Sequence, residues 1–353
     1  MHRRTFLRSA GIVTAGLAWP GSRSSLAETS PSTPWRTFEM VTRAEVLDPS
    51  GLTRVWVPAP LAADTPYQKA VRTTFKAEGG MANLFADKGL DSVGMVVAQF
   101  PAGVRPVLTV TSRVSTRDYA VTLASPGLTS KRDRVALGHF LRPTKLLPID
   151  GVVRDKARAI YEWVVENTFR DPKVRGCGRG DIRSMLETGN LGGKCADLNA
   201  LYVGLARAAG LPSRDVYGIR IAKSELGYKS LGPSTPTITK AQHCRAEVYL
   251  SGWGWVPVDP ADVRKVALEE PPGNRPLDDE MVKSARARLF GSWEMNWVAY
   301  NFGHDVSLPH AVSGPLEFLM YPQAETARGR VDSLDPDGFK YEITSREIGA
   351  AAS

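Results

Sequence analysis

The chain is poor in cysteine, with three among its 353 residues. An odd number of thiols cannot all pair within one chain, so at least one must stay free. The sequence also lacks an apolar run long enough to cross a membrane. It has no CxxC, HxxxH, GxSxG or P-loop motif. These absences argue against an integral membrane protein and predict no metal ion or other cofactor.

Residues 1–27 are predicted to be an export signal rather than part of the fold. Arg3 and Arg4 form a pair, a mildly apolar stretch follows, and Ser25-Leu26-Ala27 offers small residues for cleavage. The pattern resembles a twin-arginine signal, which implies export of the folded chain to the periplasm by the twin-arginine machinery.

The net charge of +8 owes half its size to this segment. Without its four arginines, 41 of the 45 basic residues remain against 37 acidic ones, a net charge of +4. So small an excess over a long chain does not predict nucleic-acid binding.

Residues 35–123 alternate apolar and polar side chains with a period of two, which predicts an antiparallel β domain. The strand-like runs include "TRVWVPAP", "VGMVVAQF" and "PVLTVTSRV". Residues 124–150, rich in proline and basic residues, are interpreted as a linker or docking segment.

Helical spacing begins after this segment. Apolar residues recur every three or four positions from Val153 to Val164, and Asp181 is placed to cap a short helix that ends at Gly189. A third helix is predicted from Cys195 to Ala209, with Gly210 and Pro212 to stop it.

Cys195 is therefore predicted to lie at a helix N-terminus. Unpaired N–H groups and the helix dipole favour a thiolate there and lower the cysteine pKa. Gly192 and Gly193 would leave the approach to the sulfur bare, and backbone N–H groups beside it could hold an oxyanion.

His243 and Asp259 lie on two strand-like runs joined near Gly252, and the turn decides whether they meet. A two-residue turn would place Asp259 opposite Cys244. A three-residue loop over 250–252 would place Asp259 directly opposite His243 and leave one face wholly small and apolar. Face consistency favours the second register. The polar face would then carry Arg245, Glu247, Trp253 and Trp255, which could contact substrate or wall a cleft, or could simply pair and pack.

Cysteine at a helix start, then histidine and aspartate on successive strands, resembles the transglutaminase-like superfamily of papain-type cysteine enzymes. The match is carried by "GGKCADLNALYVGLARAAGLPSRDVYGIR", "AQHCRAEVYL" and "GWGWVPVDPADV". The resemblance implies that Cys195 is the nucleophile, His243 the general base and Asp259 its orienter. It also implies an α+β fold, with the cysteine-bearing helix packed on an antiparallel sheet in a transglutaminase-like core over 151–270. Residues 271–353 would form a C-terminal extension packing on the core.

The function expected from this resemblance is attack on a peptide or carboxamide bond, with a thioester that water resolves. If an amine rather than water accepts the acyl group of the thioester, the protein would be a transglutaminase. A peptide-binding or assembly protein with a relic triad stays open, as does a redox thiol protein. Cys177 and Cys244 could form a disulfide, or Cys244 could be an ordinary core residue. The expected partner is a peptide or protein substrate.

Overall fold

The computed structural model describes residues 33–87, 89–123, 137–141 and 153–349. The predicted signal over 1–27 and most of the predicted linker over 124–150 therefore lie outside the described residues. Among the described helices, none is long and apolar enough to span a bilayer.

Two antiparallel sheets form the strand-rich part of the molecule. One has the strand order β19-β1-β6-β3, where the strands are β1 (Arg36–Val46), β3 (Gln68–Glu78), β6 (Val107–Thr116) and β19 (Phe339–Gly349). The other has the order β18-β17-β2-β5-β4, where the strands are β2 (Thr53–Pro58), β4 (Met81–Ala86), β5 (Gly94–Phe100), β17 (Gln323–Thr326) and β18 (Gly329–Val331). All three quoted runs are strands, as predicted.

The two sheets pack face to face because each presents an apolar face. One buried cluster takes Ala44 and Leu108 from the first sheet, and Val57, Val96 and Phe100 from the second. Side chains on a strand alternate between its faces, so the period-two pattern of the sequence supplies this core.

The C-terminal residues complete both sheets of this sandwich. β19 runs antiparallel to β1 from Thr37↔Gly349 to Val46↔Phe339, and β17 pairs with β2. The expectation of an extension that packs on the catalytic core is thus too narrow, because its strands also join the N-terminal sheets. The boundary at 270 stays a prediction.

The remaining elements form a mixed α/β core. Its sheet has the order β12-β11-β10-β14, where the strands are β10 (Ser213–Arg220), β11 (Gln242–Leu250), β12 (Gly254–Val258) and β14 (Trp297–Asn301). Its helices are α1 (Val153–Asn167), α2 (Ile182–Thr188), α3 (Cys195–Ala208), α4 (Pro260–Glu269) and α5 (Glu280–Arg288).

Short elements connect these parts. Three two-stranded pairings link β7 (Tyr119–Ala120) with β13 (Ser292–Trp293), β8 (Phe169–Arg170) with β9 (Gly192–Gly193), and β15 (His304–Val306) with β16 (Leu316–Phe318). Two 3₁₀ turns span Gly138–Leu141 and Lys229–Leu231.

Helix α3 lies at the centre of the core. Leu198, Leu201 and Tyr202 have no exposed surface, and the helix packs against α1, α4 and both β10 and β11. A helix that is apolar on most sides belongs in the interior. The predicted helix boundaries, the Asp181 cap and the α+β fold class are all confirmed.

The β11–β12 register differs from the predicted one by two residues. Ala246 pairs with Val258 and Leu250 with Gly254, so the connecting loop covers residues 251–253. Asp259 therefore does not face His243 across the strands, and that prediction is wrong. A two-residue shift keeps each side chain on its predicted face. The apolar face is buried as expected, with Cys244, Ala246, Val248, Val256 and Val258 fully covered.

Candidate active site

Cys195 is the first residue of α3, and a network of short hydrogen bonds fixes the chain before it. The Asp197 carboxylate accepts from the Lys194 N–H at 2.9 Å, and from the N–H groups of Arg179 and Gly180 at 2.9 and 3.0 Å. The Asp197 side chain thus joins the start of α3 to the loop that precedes α2. Cys195 is only 4% exposed, so the residue is almost completely buried.

The two glycines before the helix are required by close packing. A Cβ at Gly193 would come within 2.5 Å of the Asp197 Cβ, and one at Gly192 within 2.3 Å of the Phe169 ring. Side chains at either position would force apart the β8–β9 pairing and the cap of α3. The bare approach to the sulfur stays a prediction.

His243 and Asp259 meet through their side chains. His243 Nε2 lies 2.7 Å from Asp259 Oδ2, and both side chains are buried. Asp259 is the N-cap of α4, where its other oxygen accepts from the Asp262 N–H at 3.1 Å. With Nε2 engaged by aspartate, Nδ1 is the ring nitrogen left for the thiol.

Three thiols gather at the start of α3. All three cysteines are free and buried, so the structure holds no Cys177–Cys244 disulfide. Hydrogen bonding with Cys177 lowers the pKa of Cys195 well below its ordinary value, and Cys244 and His243 act in the same direction against burial. The same contact with Cys195 raises the pKa of Cys177, and burial raises the pKa of Cys244. The negative charge therefore concentrates on Cys195.

A second carboxylate, which the sequence reasoning missed, lies beside the histidine. Asp262 Oδ2 is 3.4 Å from His243 Nε2, and Arg220 donates to both Asp262 oxygens at 2.5 and 2.8 Å. The side chains of Arg220 and Asp262 are only 4% and 2% exposed. Arg220 lies on β10 within "YGIRIA", where alternation alone gives no sign of a buried ion pair.

These charges decide the protonation of His243. Burial and Arg220 lower its pKa, but Asp262 and Asp259 outweigh both, so the pKa of His243 is raised. Burial raises the pKa of Asp259, against the attraction of His243 and Arg245. Arg220 holds the pKa of Asp262 well below its usual range despite burial. The site thus favours an imidazolium facing a thiolate.

Further contacts hold the triad in place. Asn199 donates to Asp259 Oδ1 at 3.2 Å and to the Cys244 carbonyl at 2.9 Å. The Trp297 indole N–H donates to the His243 carbonyl at 2.8 Å. Arg245 Nε lies 3.7 Å from Asp259, and burial lowers the pKa of Arg245 to about 10. Asn199, Trp297 and the charge role of Arg245 were not predicted.

The other residues of the polar face are structural. Glu247 pairs with Arg214 at 2.6 Å, and Arg245 is buried beneath the rings of Trp293 and Trp297. Arg214 lies 4.0 Å from the centroid of Trp255. Of the alternatives for this face, pairing and packing therefore hold.

Two of the other described histidines form pairs elsewhere. His304 lies 2.8 Å from Asp215, and His139 lies 2.8 Å from Asp91. His243, by contrast, contributes to lowering the pKa of Cys195.

Among the described residues, one group could supply three metal ligands: His243, Asp259 and Asp262. Their ligand atoms lie within 4.8 Å of one another. The Arg220 guanidinium already neutralises Asp262 at hydrogen-bond distance. A cation placed there would have to displace that guanidinium, so the group fits hydrogen bonding better than metal binding.

Sequence comparisons match this chain to a known family and to a relative. Residues 148–260 match the family model of the transglutaminase-like superfamily, a span that ends just past Asp259. An uncharacterized protein of Haemophilus influenzae is 33% identical over 326 residues, which cover 84% of this chain and 87% of that protein.

Two solved structures resemble the fold at low identity. A proposed cysteine protease from Cytophaga hutchinsonii is 15% identical with a TM-score of 0.48, over 91% of this chain and all of that one. The periplasmic domain of TgpA from Pseudomonas aeruginosa is 16% identical with a TM-score of 0.27, over 63% of this chain and 90% of that one. At these values the family assignment rests on the sequence matches.

Proposed function

The chain belongs to the transglutaminase-like superfamily, and from this we propose that it is a thiol enzyme that hydrolyses peptide or carboxamide bonds with Cys195, His243 and Asp259. The observation that carries the proposal is the convergence of these three side chains. Cys195 has its pKa lowered at a helix start, partly by His243, and His243 Nε2 lies 2.7 Å from Asp259.

The mechanism follows from the protonation states. In the resting site Cys195 is the thiolate and His243 the imidazolium, and the thiolate attacks the amide carbonyl carbon to form a tetrahedral oxyanion. Collapse of this intermediate breaks the C–N bond, and the imidazolium protonates the departing amine. Water, deprotonated by the now neutral His243, then attacks the thioester, releases the acid and restores the thiolate–imidazolium pair. Asp259 keeps the ring oriented and stabilises its cation throughout.

The oxyanion needs donors other than the Ala196 N–H. That group already donates to the Cys177 carbonyl at 2.9 Å. It is therefore not one of the backbone N–H groups that can hold the oxyanion, as the sequence had predicted for the groups beside Cys195. Gln242 precedes His243 and carries a buried side-chain NH₂ group that has no hydrogen-bond partner among the described residues. We assign this amide, with the Cys195 N–H, as candidate donors.

Product mass distinguishes hydrolysis from transamidation. The purified protein is incubated with a glutamine peptide, a peptide amide and an isopeptide, each with and without a labelled primary amine. Hydrolysis yields free acid at the reacting carbonyl, whereas transamidation yields an amine adduct. Predominance of the adduct would replace the hydrolase by a transglutaminase.

A non-catalytic role is the remaining alternative. In that case no carbonyl product forms with any substrate, and Cys195→Ala behaves as the parent does. The hydrolase proposal requires that Cys195→Ala abolish product formation while the peptide still binds.

Export to the periplasm is proposed on the leader sequence. The pair Arg3-Arg4 precedes a mildly apolar stretch and a small-residue cleavage site. Conversion of both arginines to lysine is expected to leave uncleaved protein in the cytoplasmic fraction. Unchanged fractionation and processing of the Arg3→Lys, Arg4→Lys variant would contradict the twin-arginine route.

A further inference from the structure

A cleft of about 430 Å³ lies beside the thiol cluster. Cys177, which contacts Cys195, lies in its wall together with Lys194 and Gln242, the residues that precede Cys195 and His243. A cavity of this size is within the range of small-molecule and peptide subsites. Its position makes it the place where substrate would extend away from the reacting carbonyl.

Among the residues that the structure describes, the charged residues lining this cleft are all cationic. They are Arg175, Lys194, Lys240 and Lys340, and no described aspartate or glutamate joins them. Arg175 is neutralised by Asp332 at 2.7 Å. The three lysines form no ion pair with any residue that the structure describes. Three uncompensated positive charges around one concavity create a local potential that attracts anions.

A buried polar donor faces the same space. Gln242 is 8% exposed, lines the cleft, and has no hydrogen-bond partner for its side-chain NH₂ among the described residues. Ser333, another residue that lines the cleft, also has a buried hydroxyl without a partner among the described residues. Buried polar groups in folded proteins are nearly always satisfied, so these two are suited to a ligand that carries oxygen acceptors.

Apolar surface completes the cleft. Leu334, Phe339 and Tyr341 line it from the C-terminal residues, and Tyr321 adds a further ring. A ligand that fits all these groups has an apolar or backbone portion between its acceptors. An acidic peptide has this composition, whereas a small inorganic anion does not.

We propose that this cleft binds the acidic side of the substrate, so that the enzyme prefers peptides with carboxylates close to the amide that Cys195 attacks. The preference in the reaction rests on the proposed function, whereas the binding of acidic peptides does not. Lys194, Lys240 and Lys340 pair with the carboxylates, and Gln242 donates to the reacting carbonyl oxygen, as assigned above. The three lysines are specificity-determining residues.

Binding is measured on the Cys195→Ala protein, so that turnover cannot interfere. The probes are three fluorescein-labelled hexapeptides of equal length, in which three positions are glutamate, glutamine or lysine. Fluorescence anisotropy is expected to show the glutamate peptide binding at least about tenfold more tightly than the glutamine peptide. The advantage is expected to shrink as salt rises from 50 to about 500 mM.

Charge reversal locates the site. Lys240→Glu with Lys340→Glu, both exposed, is expected to remove the glutamate advantage and leave glutamine-peptide binding within about twofold. Lys76→Glu, an exposed lysine on β3 outside the cleft, is the matched control and should change neither affinity. Equal binding of glutamate and glutamine peptides, an equal effect of Lys76→Glu, or no binding of any peptide overturns the inference.

The inference and the proposed function fail in different ways. If the protein that retains Cys195 binds the acidic peptide but does not turn it over, the acidic subsite is supported and the proposed enzymatic activity is contradicted. If the protein turns over peptides without preferring the glutamate peptide, the proposed activity is supported and the acidic subsite is contradicted.

Discussion

At the residue scale, the site depends on charges that are buried together. Cys195, His243, Asp259, Asp262 and Arg220 all lie within the interior of the core. A buried charge persists only where partners replace the lost hydration. The pKa values of Cys195 and His243 therefore depend on buried neighbours such as Arg220 and Asp262, and substitutions at those neighbours should change these pKa values.

Removal of the Cys177 thiol should raise the pKa of Cys195. Cys177 makes the largest contribution to lowering that pKa, so Cys177→Ala is expected to move the pH midpoint of Cys195 alkylation upward and to slow the reaction at neutral pH. Cys177→Ser keeps a hydrogen-bond donor and should shift the midpoint less. The measurement is peptide-resolved mass spectrometry after timed iodoacetamide labelling. Identical midpoints in all three proteins would contradict this reading.

The Arg220–Asp262 pair should be costly to break on one side. Arg220→Met leaves a carboxylate buried without its partner, and the expected loss is about 3–5 kcal/mol in the free energy of unfolding. Urea denaturation measures it. Arg183→Ala breaks an exposed pair with Glu187, 84% and 62% exposed, and should cost less than about 0.5 kcal/mol.

The double variant separates charge from packing. Arg220→Met with Asp262→Leu replaces both ions by apolar groups, and should recover much of the lost stability. If it is as unstable as Arg220→Met alone, shape rather than the unpaired charge explains the loss.

At the scale of single elements, alternation predicts faces but not register. The apolar and polar faces of β11 and β12 were predicted correctly, yet the pairing is two residues away. A period of two is unchanged by a shift of two, so the pattern contains no information about it. Asp259 reaches His243 because it is the N-cap residue of α4, a position that alternation along a strand does not predict. Arg220 and Asp262 were missed since single charges in apolar runs show no periodicity.

The loop before α2, which packs against the start of α3, should be intolerant of a side chain at one glycine. Gly178 has a φ of +93°, and a Cβ there would lie 1.9 Å from the Asp197 carboxylate. Gly189 also has a positive φ, +72°, but its Cβ would meet nothing within 4 Å. Both alanine substitutions should cost about 1 kcal/mol for the backbone.

Gly178→Ala should cost more than this, because it also displaces the side chain that caps α3. Thermal unfolding of the two variants provides the comparison, and loss of Cys195 reactivity is expected only for Gly178→Ala. Equal losses of stability with equal reactivity would show that the Asp197 contacts do not position the cysteine.

At the scale of the whole molecule, distant segments build one structure. The N-terminal sheets could be predicted as strands, but their completion by β17, β18 and β19 could not, because pairing between residues about 300 positions apart leaves no local signal. The same C-terminal residues form one wall of the cleft. The C-terminal residues thus contribute both to the β-sheets and to the cleft.

Truncation tests this dependence. Ending the chain at residue 337 removes β19 and exposes the hydrogen-bonding edge of β1, so the product is expected to aggregate on expression. Ending it at Gly349 removes no described residue and should give protein with unchanged thermal stability. Soluble, cooperatively folding protein from the shorter chain would show that β19 is dispensable.

The proposed mechanism requires a Cys195 thiolate maintained by His243. Its direct test is the rate of Cys195 alkylation by iodoacetamide across pH, resolved from Cys177 and Cys244 by mass spectrometry. The predicted midpoint lies well below the ordinary thiol value of about 8.5, with Cys177 and Cys244 unlabelled, and it moves upward in His243→Ala. A midpoint at the ordinary value that does not respond to His243→Ala would contradict the account.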